Sequence, residues 1–353
     1  MLYSWRYVVF TIAALLALPL VRPLEPAAAT EKQKGVCWVA GREPVAHEQI
    51  EWLAKNHVTW ISQTPFGWQT HPASASIAFI TQASANGNRG VMWGESDEGI
   101  AHTTRLAREK GIKTILKPHL WVRQSWPGEI EMTDDANWAK WFAAYEKFIL
   151  HHAVMAETHG IEMLCIGTEL SKTIHREKEW RHLIAQVRKI YRGKLTYGAN
   201  FNDEYQNIRF WDALDYIGIQ AYFSLADADN ASLKTIASGW HPHMANIEKL
   251  VDKFQKPVLF TELGYRSTAC APVKPWLWPQ QIKENAVPSE EMQARCYQAF
   301  FDTVWKQKWL AGVYFWKWYP NGTTRWANID FTPQGKAAEK VMAGNFSTHE
   351  ERH

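Results

Sequence analysis

Short apolar runs alternate with amphipathic helical stretches eight times along this chain, and that rhythm restricts the fold more than any other feature. The runs occupy residues 35–39, 58–62, 113–117, 163–167, 194–198, 216–220, 258–260 and 312–315. Between them, apolar residues recur at helical spacing: Trp138, Trp141, Phe142, Tyr145, Phe148, Ile149 and His152 in the clearest case, then Trp180, Leu183, Ile184 and Val187, and later Ile247, Leu250, Val251 and Phe254. Strand and helix in strict alternation make a parallel sheet covered by helices. Eight such units joined by right-handed crossovers close into a (β/α)8 barrel, a TIM barrel, and 353 residues suit one such domain. An open doubly wound sheet would carry a Gly-rich phosphate turn, which the sequence lacks. The segment 63–96, with Trp68, His71 and Trp93, reads as a long functional loop.

The amino terminus reads as a processing signal. After Arg6, residues 8–20 have the length of a signal-peptide apolar region and are too short to span a bilayer. Pro19 and Pro23 interrupt the run, and Ala27, Ala28 and Ala29 fit a cleavage site. Residues 1–29 are therefore expected to direct export to the periplasm or the exterior, the alternative being an uncleaved anchor. Residues 30–346 form the expected catalytic domain, and 347–353 a disordered tail. The formal charge of +3 is small and its basic residues are interspersed with acidic ones, which excludes a nucleic-acid surface. Cys37 and Cys165 lie in apolar runs as small buried hydrophobes, whereas Cys270, in a loop, and Cys296, in the next helix, are candidates for a disulfide. His151-His152 and His241-Pro242-His243 lack a carboxylate at ligand spacing, so neither a metal nor any other cofactor is expected.

In a barrel, chemistry collects at the carboxyl ends of the strands, and the polar residues that interrupt the apolar pattern sit there: Lys117, His119, Glu169, Asn200, Tyr222 and Glu262, with Trp316 beside them. Two runs share a grammar, apolar strand followed by Thr168-Glu169-Leu170 or by Thr261-Glu262-Leu263. A carboxylate at the rim of a buried strand is costly unless paired or used. Two of them facing one another suit glycosidic cleavage, which needs one carboxyl to protonate the leaving oxygen and one to meet the anomeric carbon. Glu169 is the expected acid/base and Glu262 the expected nucleophile, with the Tyr222 hydroxyl donating to Glu262; rim salt bridges are the plain structural alternative. Neutralising Glu169 is the plain structural alternative for Lys117; Lys117, His119 and Asn200 are candidate partners for sugar hydroxyls. Trp316 is the expected floor under the sugar, and Trp38 is either a second wall or a core residue. The 20 tryptophans fit both uses.

At these residues the chain resembles the clan A retaining glycosidases and, more closely, glycoside hydrolase family 113. The matching pieces are Leu116-Lys117-Pro118-His119, Ile166-Gly167-Thr168-Glu169-Leu170, Gln220-Ala221-Tyr222, Thr261-Glu262-Leu263-Gly264-Tyr265 and Tyr314-Phe315-Trp316, spread over residues 35–344. The resemblance implies a barrel that hydrolyses β-1,4-mannan or glucomannan by double displacement. One departure stands out: most of the clan place Asn immediately before the acid/base to hold the sugar 2-hydroxyl, and here that residue is Thr168. A retaining hydrolase of another β-glycan and a catalytically silent carbohydrate-binding barrel are the competing expectations.

Overall fold

The computed structural model describes residues 31–82, 92–322 and 325–347. The expected signal peptide lies outside them, and so does the expected tail apart from Ser347. Eight parallel strands close into one ring: β1 (Gln33–Trp38), β2 (Trp60–Gln63), β3 (Lys113–Leu116), β4 (Met163–Thr168), β5 (Lys194–Asn200), β6 (Ile217–Gln220), β7 (Val258–Leu263) and β8 (Leu310–Trp318). β8 pairs back to β1, so no edge strand remains. Around the ring lie α1 (His47–Lys55), α2 (Asp97–Glu109), α3 (Asp135–Thr158), α4 (Glu177–Ile190), α5 (Glu204–Asn207), α6 (His241–Phe254), α7 (Glu290–Asp302) and α8 (Ala337–Ser347).

Local chemistry sets where helices begin. The side chains of Ser96, Asp134 and Ser289 each accept a hydrogen bond from the third residue of α2, α3 and α7, satisfying amides that would otherwise have no partner. The aromatic stripe of α3 then packs inward. Trp141 stacks on Tyr145 with ring centroids 4.8 Å apart, and the Tyr145 hydroxyl donates to the Ile166 carbonyl at 2.9 Å, fastening α3 to β4. The interior of the ring is packed separately by strand residues, Cys37, Ile115, Met163, Cys165, Leu259 and Tyr314, all buried. Close approach explains Gly167: a Cβ there would fall 2.6 Å from the Tyr197 ring and 2.9 Å from Trp180.

The structure departs from the sequence reading in three places. Residues 63–96 are not simply a loop. Phe66–Gln69 and Ala78–Phe79 form strands, and with His119–Val122 they make a small second sheet above the barrel. The fifth unit has only the single turn α5 and a 3-10 turn at Trp211–Ala213 in place of a full crossover helix. The disulfide is not formed, since Cys270 and Cys296 are both free thiols. Cys270 Sγ is instead 3.5 Å from Thr268 Oγ1 and 3.8 Å from Arg266, while Cys296 is buried in α7. Among the described residues no helix is long and apolar enough to cross a membrane.

Candidate active site

Strand register brings the polar strand ends to one level. Asn200 and Glu262 each pair with Gln220, and Thr168 pairs with Gly198 two residues before Asn200. Glu169 follows directly after β4 with φ 53°, in the left-handed region that a residue with a Cβ seldom occupies. Its amide donates to the Gly198 carbonyl at 2.9 Å, so β5 holds the turn. Asn200 Nδ2 donates to Glu169 Oε1 at 2.7 Å, and Trp126 Nε1 donates to Oε2 at 3.1 Å. Burial pushes the Glu169 carboxyl up to about 7, and the nearby charge of Glu262 adds to the rise, against the two hydrogen bonds, which favour the ionised form.

Beneath this turn lies a second, fully enclosed carboxyl. Glu204 accepts from Ser171 Oγ at 2.8 Å and from the Asn200 amide at 2.7 Å, and it takes the Tyr197 hydroxyl at 2.5 Å. Tyr197 in turn accepts from the Leu170 amide at 2.9 Å. Glu204 therefore ties the residues around Glu169 to those around Asn200. Burial raises its pKa.

Glu262 is buried on β7 among donors. The Lys117 ammonium is bonded to Oε1, and the Tyr222 hydroxyl donates to Oε2 at 2.8 Å. Lys117 has no exposed surface and also donates to the Thr261 carbonyl at 3.3 Å. Burial opposes its charge most strongly, yet its neighbours together, the carboxylate of Glu262 foremost, outweigh that and its pKa is raised. Burial, and then the charges of both glutamates, push the Tyr222 phenol well up, so it stays protonated as a donor. His119 Nε2 lies 3.8 Å from Glu262 Oε1, enclosed and without a hydrogen-bond partner. Burial, then the charge of Lys117, hold its pKa well below the ordinary histidine range, so the imidazole is neutral.

An aromatic wall flanks the carboxyls. The Lys117 ammonium is 5.8 Å from the centre of the Trp316 ring, which places Trp316 beside Glu262. Trp316 meets Trp278 edge-on at 6.1 Å, Trp278 meets Phe331 at 6.0 Å, and Phe331 meets Tyr222 at 6.3 Å. Lys317 extends over Trp278, Trp316 and Tyr319 at 5.1, 5.7 and 5.0 Å and approaches Asp330 to 3.9 Å. The peptide bond between Trp316 and Lys317 is cis. At Gly264 a Cβ would come within 2.7 Å of the Trp316 carbonyl, so glycine lets β7 approach this corner.

Most residues named from the sequence thus gather at the carboxyl ends of the strands: Glu169, Glu262, Asn200, Tyr222, His119 and Trp316. Lys117 is there too, but it pairs with Glu262 and not with Glu169, because its side chain runs inside the barrel beneath the Thr261 carbonyl. Trp38 is 3% exposed and packs in the core. Sequence reasoning missed Trp126, Glu204, Lys317 and Phe331. Trp126 left a faint signal, an aromatic residue before Pro127 in the loop after His119; Glu204 left none, since its partners come together only in the fold. Among the described residues no group of three or more His, Cys, Asp or Glu side chains is placed to hold a metal ion.

Comparison with known proteins agrees with this architecture. The sequence model of glycoside hydrolase family 113 matches residues 38–336. The structure of a β-mannanase of that family from Alicyclobacillus acidocaldarius aligns with a TM-score of 0.77 and 27% identity, over 90% of this chain and 97% of its own. A β-1,4-mannanase of the same family aligns at 0.76 and 25% identity, over 90% of this chain and all of its own, 100%. A β-glucuronidase from Ruminococcus gnavus, at 0.60 and 12% identity over 90% of this chain and 50% of its own, shares the fold. No curated protein matches the chain.

Proposed function

The chain belongs to glycoside hydrolase family 113, and on that footing we propose that it hydrolyses β-1,4-mannosidic bonds of mannan or glucomannan with retention of configuration. The observation that carries this reading is the contrast between the two strand-end glutamates. Glu262 sits against an ammonium and a phenol that favour its charge, while Glu169 has its pKa pushed up to about 7 and keeps a proton to give.

In the first step Glu169 gives its proton to the glycosidic oxygen as the bond from that oxygen to the anomeric carbon breaks. A Glu262 oxygen forms the new bond to that carbon, yielding a glycosyl ester. In the second step the Glu169 carboxylate takes a proton from water, the water oxygen attacks the anomeric carbon, and the ester bond breaks to return Glu262 as a carboxylate. Lys117 and Tyr222 bond the two Glu262 oxygens and aim the carboxyl, and Asn200 and Trp126 orient Glu169. His119, neutral and with Nε2 enclosed 3.8 Å from Glu262 Oε1, helps to position that carboxyl. Trp316 lies beneath the sugar ring, where its apolar face meets C–H groups. The two similar mannanase structures support the choice of substrate. Export is part of the same reading and rests on the apolar run 8–20 and the Ala27 to Ala29 cleavage pattern.

Reducing-sugar release from mannan, glucomannan, cellulose and xylan tests it. Parent protein should act on the mannans, and Glu262→Ala should lose nearly all of that activity. Parental activity in Glu262→Ala would overturn the mechanism; cleavage of another β-glycan alone would overturn the substrate.

A further inference from the structure

The small sheet above the barrel has two unlike faces. One is packed: Leu120, Val122 and Gln69 are buried, and a Cβ on Gly67 would meet Leu120 at 3.0 Å and both Ile77 and the α3 residue Phe148 at 3.2 Å. The other is aromatic and open. Phe66 pairs in register with His119, and Trp68 with Trp121. The Phe66 ring meets His119 edge-on at 5.6 Å and Trp121 at 6.4 Å, so these side chains share one face. Trp121 is 59% exposed, the most open tryptophan among the large exposed apolar residues.

We propose that this open face is a glycan-binding platform, an additional sugar subsite built on Trp121, Phe66 and Trp68 that prolongs the cleft beyond Glu262. The proposal rests on the reading of the cleft as a β-glycan hydrolase. Two observations choose the occupant. The face adjoins the candidate site, because His119 belongs both to the aromatic row and to the surroundings of Glu262, 3.8 Å from Oε1. Trp121 lies two strand residues further out, about 7 Å along the strand, so a linear substrate held over Glu262 and running this way passes across it. An exposed indole flanked by aromatic neighbours offers a flat apolar surface to the C–H face of a pyranose while leaving its hydroxyls in water.

The test uses the full chain and its Trp121→Ala and Trp121→Phe variants. Specificity constants on β-1,4-mannotriose and β-1,4-mannohexaose are compared, and electrophoretic retardation is measured in gels containing glucomannan, cellulose derivative or xylan. The ratio of hexaose to triose kcat/KM should fall about tenfold in Trp121→Ala, the loss of one stacking contact, with most of the change in KM. Trp121→Phe should recover part of it. A ratio equal to the parent's in Trp121→Ala would overturn the platform. If the parent cleaves no mannan but is retarded by another β-glycan, weaker retardation of Trp121→Ala there sustains the platform although the substrate reading has failed, and equal retardation overturns it. A parent dimer that dissociates in Trp121→Ala with glycan retardation intact would assign the face to a second copy and overturn the proposal.

Discussion

Glu169→Gln should gain stability relative to the parent as the pH rises, because burial disfavours the ionised form of Glu169. Its carboxyl moves from an ordinary 4.5 to about 7. Below pH 4.5 it is protonated in folded and unfolded chains alike and contributes nothing to the pH dependence. Between 4.5 and 7 the unfolded chain releases the proton while the folded chain keeps it, so stability falls with pH. Above 7 the cost levels off, at about 3 kcal/mol from 1.36 kcal/mol per pH unit. The variant lacks this loss. Urea denaturation of parent and variant at pH 4, 5.5, 7 and 8.5 should give a difference that grows by about 3 kcal/mol across the series and then stops growing. With Glu169 as the proposed acid, the same proton governs activity and kcat/KM of the parent should decline above about pH 7. Trp126→Phe, which removes a hydrogen bond that favours the ionised form, should move that decline to higher pH. A stability difference that stays flat from pH 4 to 8.5, with an alkaline limb that does not move in Trp126→Phe, would refute the account of Glu169.

Lys117→Met should destabilise the fold by about 3–5 kcal/mol in urea denaturation at pH 7, because it leaves the buried Glu262 carboxylate without its ammonium partner; a loss below about 1 kcal/mol would show that the pair is not needed. Tyr222→Phe should lower kcat on mannan by about 10- to 100-fold, the worth of one hydrogen bond to a charged group. Parental kcat in that variant would mean that Glu262 does not depend on the phenol.

The barrel was legible in the sequence because its strands are buried on both faces. Such strands read as continuous apolar runs, and the eight runs correspond to β1 through β8. Their ends were legible for a related reason: Glu169 and Glu262 interrupt apolar stretches where nothing local explains a charge. The small sheet was not. Phe66–Gln69 and His119–Val122 are four residues each and lie far apart in the chain, so their pairing is a tertiary event. The partner of Lys117 was not legible, because strand-end position says which rim a residue occupies and not which way a long side chain runs. The cysteines misled through proximity in sequence: a loop Cys270 and a helical Cys296 look available to each other, yet Cys296 is enclosed in the packing of α7.

The packing inside the ring of strands is a unit distinct from the packing between strands and helices. Cys37, Ile115, Met163, Cys165, Leu259 and Tyr314 touch one another, while the helices press on the outer surface of the same strands. Lys117 and Glu262 are anchored from strands and the chain immediately after them, over that inner plug. The exposed tryptophans Trp121, Trp276 and Trp278 belong instead to connecting segments outside that plug. Trp316, which packs on the inner plug and meets Trp278 edge-on, is the point where those segments touch it.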